Sequence, residues 1–215
     1  MILYIVIIFI AAFLVGSIPF GYLIGKMFYG VNVLEEGSGG TGMANIARVL
    51  GKKAGAATLV LDFLKGFVLI YLLAYVIDVD LDRTIKIPLA TFAVVLGHCF
   101  VPWLKFKGGK GVATALGAFS VVAPIPVTAT AIVLYLIVRW LTKISAYGSF
   151  CLLTVFMLFF ACKAFWGCDV LPNANVMEIE KNYFTFAALT FVLILYRHKD
   201  NVVRMIRKEE LKLEL

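Results

Sequence analysis

The sequence predicts an all-helical integral membrane protein with seven transmembrane helices, its N-terminus outside the cell and its C-terminus in the cytoplasm. Of the 215 residues, 62% are hydrophobic and 15% are charged, and the mean hydropathy is +0.98. The apolar residues fall in long runs with charged segments between them, a pattern that excludes an ordinary soluble domain. We therefore expect one polytopic membrane domain over residues 1–215, with a basic tail at about 197–215.

The first apolar run, residues 2–23, is long enough to cross the hydrocarbon core of a bilayer. Pro19 is expected to kink it, and Ser17, Gly21 and Gly25 recur every four residues as a close-packing face. The run lacks a basic leading region, so we expect no cleavable signal peptide. The other continuous runs predict four further spans, at 54–77, 87–104, 147–166 and 183–196.

The region 112–141 is too long for one span and short for two, and Pro124 and Pro126 interrupt it. A single span would place the basic residues at its two ends on opposite sides of the membrane, against the positive-inside rule. We therefore predict two short helices around Pro124/Pro126, turning at residues 123–126.

The distribution of Lys and Arg sets the predicted orientation. With this topology, fifteen Lys and Arg residues lie on the inner side and four on the outer side. The excess predicts a multi-pass protein of the bacterial cytoplasmic (inner) membrane.

The net charge of +7 does not indicate a nucleic-acid partner, because the basic residues are divided among apolar runs. The four cysteines have no CxxC spacing, and His98 and His198 are the only histidines, so no metal site is expected. Cys162 and Cys168 would form a bridge only in an oxidising compartment.

Three lysines and three glycines alternate between two apolar runs in residues 105–111. Glycines let backbone N–H groups approach a phosphate, and a helix starting at Val112 would add N-terminal donors. These features predict an anion site at the membrane surface. The alternative is a basic loop that only sets topology.

An earlier glycine-rich stretch matches GxGxxG at Gly37, Gly39 and Gly42. A dinucleotide fold needs a βαβ unit, and no such unit is predicted here. The stretch is therefore interpreted as a flexible loop followed by Arg48, whose guanidinium suits a phosphate. The alternative is a surface linker with a basic residue at its end.

Several single polar residues stand in or beside the predicted spans. Asp62 and Lys65 are spaced to pair on one helix face, as a structural ion pair or a substrate contact. Ser145 suits a helix N-cap. His198 and Asn201 lie one turn apart if the last helix continues.

The sequence resembles the bacterial membrane acyltransferases that use acyl phosphate to acylate glycerol 3-phosphate. The resemblance covers nearly the whole chain and is carried by the following stretches: Gly37-Ser38-Gly39 through Asn45 and Arg48; Asp62-Phe63-Leu64-Lys65-Gly66; Gly97-His98 followed by Phe106 through Thr114; Ser145; and Arg197-His198 with Asn201 and Arg204. The chain departs from the family pattern at Gly40, Met43-Ala44 and Ala146, where Asn, Ala-Thr and Ser are usual.

This resemblance implies an enzyme that forms 1-acylglycerol 3-phosphate (lysophosphatidic acid) and inorganic phosphate, the first acylation step of phospholipid synthesis. It implies seven helices, an active site at the cytoplasmic face, no cofactor, and membrane lipids and an acyl-phosphate-making enzyme as partners. The implied catalytic residues, acting by positioning or charge stabilisation, are His198, Asn201, Ser38 and Arg48. The implied substrate-binding residues are Ser38, Gly39, Asn45, Arg48, Lys107, Gly108, Gly109, Lys110, Ser145, His198 and Asn201.

No nucleophile or base is evident in the sequence. There is no GxSxG, and Trp103 and Val203 replace the Asp of an HxxxxD pattern after the two histidines. The proton acceptor is left as His198 or a substrate phosphate. Two alternatives stay open: an acyltransferase using acyl-CoA or acyl-carrier protein, and a small transporter or flippase of a phosphorylated lipid precursor.

Overall fold

The computed structural model describes residues 1–166 and 181–210, and all regular structure within these ranges is helical. One short 3₁₀ turn, Pro102–Leu104, follows the fifth helix. The α-helices are α1 (Ile2–Gly16), α2 (Phe20–Tyr29), α3 (Met43–Leu50), α4 (Lys52–Tyr75), α5 (Arg83–Cys99), α6 (Val112–Val122), α7 (Ile125–Thr142), α8 (Ser145–Trp166), α9 (Lys181–Arg197) and α10 (Lys199–Ile206).

The first predicted span is interrupted rather than kinked. Helix α1 ends at Gly16, and Pro19 is the N-cap residue of α2, which continues to Tyr29 instead of ending at residue 23. Proline offers no N–H to continue the helical ladder, and the Ser17 hydroxyl donates to the Phe13 carbonyl at 2.8 Å. The break leaves the Ile18 carbonyl free to accept a bond from another helix.

The predicted close-packing face of this span is confirmed. Ser17 is fully buried, and a Cβ on Gly21 would overlap the carbonyl oxygen of Thr41. A Cβ on Gly25 would press on the Val33 side chain. These small residues therefore let α2 touch the loop and helix that follow it.

Small residues also bring α4 and α6 together. A Cβ on Gly66 would overlap the Thr114 carbonyl, and a Cβ on Gly117 would overlap the Phe63 carbonyl. Helix α5 packs on α1 and α9 in the centre of the bundle, whereas α7 contacts mainly α8 and buries only Val127 and Ala131. Helix α7 is thus the most lipid-facing of the long helices.

The predicted break around Pro124/Pro126 is confirmed, but only the first of the two helices is short, since α7 has 18 residues. Helix α6 ends at Val122, Ala123 caps it, and Pro124 is the N-cap of α7. At about 1.5 Å per residue, the 11 residues of α6 cover roughly half of a hydrocarbon core. Five segments of the described chain are long and apolar enough to span a membrane, the first being Ile2–Tyr29.

The count of seven spans and the orientation stay predictions.

The boundaries of the other helices differ from the predicted ones by a few residues, most at the third predicted span. Helix α5 starts at Arg83 rather than 87, because the Asp82 carboxylate accepts from the Thr84 N–H at 2.8 Å and caps it. That helix ends at Cys99 rather than 104. The predicted outer loop at 167–182 and the end of the tail lie largely outside the described residues, as does Cys168.

Candidate active site

The first glycine-rich segment, residues 33–42, is organised by one amide. Asn45 is buried, and its Nδ2 group donates to the carbonyls of Val33, Glu36 and Gly40 at 2.9–3.2 Å. Its Oδ1 atom accepts from the backbone N–H of Ser38 at 2.7 Å. The donors of Asn45 are therefore used within the segment, so this residue shapes the loop from inside.

Ser38 lies at the tip of this segment. The neighbouring residues Gly37 and Gly39 have φ of +60° and +66°, a left-handed conformation that favours glycine. The two turns leave Ser38 exposed, and its hydroxyl makes no hydrogen bond within the described part of the chain. The Ser38 hydroxyl is thus free for a ligand, unlike the Asn45 amide.

The second glycine-rich segment, residues 105–111, rests on His98. The Gly109 N–H donates to the His98 carbonyl at 3.1 Å, and a Cβ on Gly109 would overlap the His98 imidazole. A Cβ on Gly108 would overlap the carbonyl oxygen of the same histidine. Both buried glycines are therefore required by close approach rather than by a left-handed turn.

Arg197, the last residue of α9, holds this segment from the side. Its Nε and Nη2 atoms donate to the carbonyls of Gly109 and Gly108, each at 3.2 Å, and its guanidinium lies 5.1 Å from the Phe100 ring centroid. At the end of the segment Gly111 adopts φ +88° and is the N-cap of α6. The predicted helix start at Val112 is confirmed.

A buried charge cluster supports His98 from the membrane side. The predicted pairing of Asp62 with Lys65 is confirmed by an ion pair of 2.8 Å, and both side chains are 3% exposed. His98 Nδ1 lies 3.4 Å from the Asp62 carboxylate and 3.3 Å from the Thr114 hydroxyl. Lys65 also donates to the Ile18 carbonyl at 2.9 Å, which links the break in the first span to this cluster.

Lys110 enters a cluster of basic groups drawn from several helices. Its Nζ atom donates to Asn201 Oδ1 at 2.5 Å. Burial lowers the pKa of Lys110 to about 8; the charge of Glu210 opposes this shift, and those of Arg204 and Arg48 add to it. The lowered pKa leaves Lys110 mostly protonated at neutral pH.

Arg48, one of the predicted site residues, faces the same cluster from α3. Burial is the largest cause that lowers the pKa of Arg48, while the charge of Glu210 opposes it and that of Arg204 adds to it. The Arg48 guanidinium makes no ion pair within the described residues. It is therefore a charged donor with its forked N–H groups available.

Glu210 is the functional-site neighbour that the sequence analysis missed. Its Oε2 atom accepts from Arg204 Nε at 2.9 Å and its Oε1 atom accepts from Asn201 Nδ2 at 2.5 Å. It stands in a short charged tail with no hydrophobic period beside it, and the pair Glu209-Glu210 gives no sign of which one turns inward. Its position follows from the turn that ends α10.

His198 is buried between α9 and α8. Its Nδ1 atom lies 2.8 Å from the Ile194 carbonyl, and its ring meets the Phe150 ring edge-on at 5.1 Å between centroids. A carbonyl only accepts, so the Nδ1 atom carries the proton and the Nε2 atom is an acceptor. Burial lowers the pKa of His198 to about 4, with the Lys110 charge as the second cause.

Two predicted substrate-binding residues are not drawn into this cluster. Lys107 is exposed, with no ion pair within the described part of the chain. Ser145 begins α8, and its buried hydroxyl has no hydrogen-bond partner within the described residues, so the N-cap hydrogen bond is not formed. The Thr142 hydroxyl accepts from the Ile144 N–H at 3.2 Å at this helix start instead.

These contacts bring three separate segments to one end of the bundle: the first glycine-rich segment with α3, the second glycine-rich segment, and the residues after α9. Helix α8 adjoins them through Phe150, which packs on His198. Basic side chains with a hydroxyl and backbone N–H groups are suited to hold phosphate groups. The arrangement can bind more than one anion beside a lipid-exposed helical surface, because Arg48, Lys110, Arg197 and Arg204 outnumber the single carboxylate of Glu210.

Known proteins resemble this chain over almost its whole length. The model of the glycerol-3-phosphate acyltransferase family matches residues 6–208. A glycerol-3-phosphate acyltransferase of Clostridium acetobutylicum is 36% identical over 202 residues, which are 93% of this chain and 94% of that protein. One of Anaeromyxobacter dehalogenans is 39% identical over 203 residues, or 94% of both chains.

The fold is similar to the crystal structure of PlsY (YgiH), an integral membrane glycerol 3-phosphate acyltransferase, in its glycerol 3-phosphate form. The TM-score is 0.81 at 31% identity, with 98% of this chain and 96% of that chain covered. The lysophosphatidic acid form of PlsY gives a TM-score of 0.78. The chain described here is an integral membrane protein that belongs to the glycerol-3-phosphate acyltransferase family.

Proposed function

We propose that this protein transfers a fatty acyl group from acyl phosphate to the 1-hydroxyl of glycerol 3-phosphate. The products are 1-acylglycerol 3-phosphate and inorganic phosphate. The observation that carries the proposal is the convergence of Arg48, Lys110, Arg197 and Arg204 around two glycine-rich segments at one end of an apolar helical bundle. Both substrates carry phosphate, and the acyl chain is soluble only in lipid.

The donor is proposed from the size of the site. Acyl phosphate needs an anion pocket at the edge of the lipid phase, whereas acyl-CoA also needs room for a nucleotide and a pantetheine arm. Residues 30–42 are the longest connection between helices in the described part of the chain, and Asn45 ties this connection down onto itself. The described residues therefore offer little protein surface outside the bundle on which a nucleotide could bind.

We divide the site between the two substrates. Ser38, Gly39 and Arg48 face the acyl phosphate, with Asn45 shaping their loop and Ser145 offering its unpartnered hydroxyl. Glycerol 3-phosphate takes the side of the second glycine-rich segment. The residues assigned to that side are Lys107, Gly108, Gly109, Lys110, His198 and Asn201. Of these, Gly108 and Gly109 shape the segment, and Lys107 would reach the phosphate from the exposed side.

In the proposed reaction the 1-hydroxyl oxygen attacks the carbonyl carbon of acyl phosphate. The tetrahedral intermediate collapses by breaking the bond between that carbon and the bridging oxygen, which leaves with inorganic phosphate. Holding both phosphates in one cluster sets the hydroxyl beside the carbonyl, and the cations stabilise the charge that develops on the leaving group. An acyl phosphate is an activated mixed anhydride, so no protein nucleophile is required.

The hydroxyl proton is proposed to pass to phosphate, with His198 as a hydrogen-bond acceptor that orients the hydroxyl. With a pKa of about 4, His198 is neutral at pH 7 but is a weak base. A phosphate group with a second pKa near 6 accepts a proton more readily by about two orders of magnitude. The His198 Nε2 atom still has the lone pair needed to align the hydroxyl.

We place this site at the cytoplasmic face of the bacterial inner membrane, in a seven-pass bundle. The excess of Lys and Arg in the segments at the site end supports this side. Helices α6 and α9 complete the seven passes beside the five longer spans. A labelling experiment with an impermeant thiol reagent on cysteines introduced at the exposed positions Lys105 and Asp80 separates the two sides.

The donor assignment is tested with purified protein and glycerol 3-phosphate. We expect acyl phosphate to give acylated product and inorganic phosphate in equal amounts, and acyl-CoA and acyl-carrier protein to give none. Product formed from acyl-CoA at a comparable rate would overturn the donor assignment. Transport of a phosphorylated lipid without any acylated product would favour the transporter alternative.

A further inference from the structure

Glu210 occupies a position that the proposed reaction does not explain. It is a carboxylate in the middle of basic groups that are suited to phosphate, and its side chain is only 6% exposed although it lies near the end of the described chain. Its neighbour Glu209 is exposed. A glutamate without a structural or functional role would remain exposed to water. Burial of a carboxylate costs free energy unless hydrogen bonds and opposite charges offset the lost hydration.

The contacts of Glu210 determine the orientation of the Asn201 amide. A carboxylate only accepts hydrogen bonds, so the Asn201 Nδ2 group faces Glu210. The Asn201 Oδ1 atom then points to Lys110, whose ammonium only donates. If the amide were reversed, its oxygen would face the Glu210 carboxylate and its NH₂ group would face the Lys110 ammonium, and neither pair could form a hydrogen bond. Glu210 therefore selects one orientation of the amide.

Glu210 also fixes Arg204. Its second oxygen accepts from Arg204 Nε at 2.9 Å, and the backbone N–H of Glu209 donates to the Arg204 carbonyl at 2.8 Å. The tail thus folds back over α10 and holds the guanidinium by one edge. The terminal nitrogens of Arg204 remain available to an anion.

We propose that Glu210 is a positioning residue of the glycerol 3-phosphate site, which orients Asn201 and Arg204 and directs the Lys110 ammonium at the substrate phosphate. The inference rests on the proposed function and deepens it. Glu210 does not touch the reacting atoms. Its effect is on the affinity for the acceptor phosphate and on the charge of Lys110.

The charge of Lys110 depends on groups from every element around it. Arg48 on α3, Arg197 on α9 and Arg204 on α10 disfavour its protonated form, and His198 lies beside it. Glu210 acts in the opposite direction, since its charge raises the pKa of Lys110. Loss of the carboxylate is therefore expected to deprotonate Lys110 at a lower pH.

The test compares Glu210→Gln with Glu209→Gln as the matched control, since both remove one charge from adjacent positions. We expect Glu210→Gln to raise the KM for glycerol 3-phosphate about tenfold, the scale of one lost hydrogen bond to a charged group. The kcat and the KM for acyl phosphate should change less than about twofold. Glu209→Gln should match the wild type.

The pH profile separates positioning from a merely structural contact. In Glu210→Gln the alkaline fall in kcat/KM for glycerol 3-phosphate should move to lower pH, while Glu209→Gln keeps the wild-type profile. Glu210→Asp retains the charge with a shorter reach, so it should raise the KM without moving the fall. If Glu210→Gln does not fold, the KM and pH profile of Glu210→Asp are compared with those of Glu209→Gln instead.

A KM and a pH profile of Glu210→Gln equal to those of Glu209→Gln would overturn the inference. So would a lower KM, which would mean that the carboxylate competes with the phosphate. Thermal unfolding with and without glycerol 3-phosphate, with no acyl donor, separates this failure from failure of the proposed function. Wild-type protein that is neither stabilised nor active with acyl phosphate would refute the function itself.

Discussion

The two glycine-rich segments meet at one end of the bundle, but they are held in opposite ways. The first segment is folded from within, because the Asn45 side chain bonds to four of its backbone groups. The second segment is held from outside, by His98 beneath it and Arg197 beside it. Its conformation therefore depends on the relative positions of α5 and α9.

This difference fits the proposal that the two segments bind different substrates. A loop organised by one internal amide keeps its shape when neighbouring helices shift, which suits a site for a membrane-bound donor. A loop clamped between two helices responds to their movement, and it lies beside the buried ion pair of Asp62 and Lys65.

The largest effect is expected at Arg48, the cation beside the first segment. Arg48→Ala should lower kcat/KM for acyl phosphate roughly 100-fold or more, because it removes the partly desolvated charge that we propose pairs with the donor phosphate. Arg48→Lys should restore little of the activity, since an ammonium cannot bond in bidentate fashion. Steady-state kinetics of the purified variants measure both effects.

Lys53→Ala is the matched control for Arg48, because Lys53 is exposed at the start of α4. It should retain near wild-type activity. If Arg48→Ala and Lys53→Ala were equally active, Arg48 would be only a topology determinant.

Asn45→Ala should disrupt the first segment alone. Three carbonyls and one N–H lose their partner, which we expect to cost roughly 2–3 kcal/mol and to lower activity about 30-fold. The control is Asn32→Ala, in which only bonds of a less buried side chain in the same connection are lost. Thermal unfolding in detergent and the KM for acyl phosphate provide the measurements.

An unchanged KM for glycerol 3-phosphate in Asn45→Ala would support the division between the two segments. An equal rise in both KM values would show instead that the two segments act as a single unit.

The sequence predicted most of the helices because their apolar runs and proline interruptions are local signals. Pro124 marked the turn between α6 and α7, and the Asp62–Lys65 spacing marked an ion pair. The sequence did not reveal that Asn45 is used inside its loop, since the same residue type in the same motif can equally bind a ligand. Glu210 was missed because the sequence gives no sign that the turn after α10 folds the chain back and brings its carboxylate to Asn201.

Gly109 in the second segment and Gly40 in the first have different surroundings. A Cβ at Gly109 would overlap the His98 imidazole, whereas a Cβ at Gly40 would meet only the Ser38 hydroxyl oxygen, at 3.8 Å. Gly109→Ala should therefore lower activity about 10-fold by displacing the second segment, while Gly40→Ala should stay within about twofold of the wild type. Initial rates at saturating and limiting glycerol 3-phosphate distinguish the two variants. Similar losses at both positions would contradict the packing described for the second segment.

The smallest effect is expected from pH. The proposed contact of the acceptor phosphate is with protonated Lys110, so kcat/KM for glycerol 3-phosphate should fall as pH rises through the Lys110 pKa of about 8. His198, with a pKa of about 4, is neutral throughout the range from pH 5 to 8 and should add no step there. A step near pH 6.5 that disappears in His198→Gln would instead identify His198 as the base.

The most direct test of the account is equilibrium binding of labelled glycerol 3-phosphate to the purified protein without an acyl donor. Lys110→Met is compared with Lys105→Met, which removes an exposed lysine from the same segment. We predict that the wild type and Lys105→Met bind with similar affinity, and that Lys110→Met binds at least about 100-fold more weakly. Equal affinity of all three proteins would contradict the placement of the acceptor phosphate at the second glycine-rich segment.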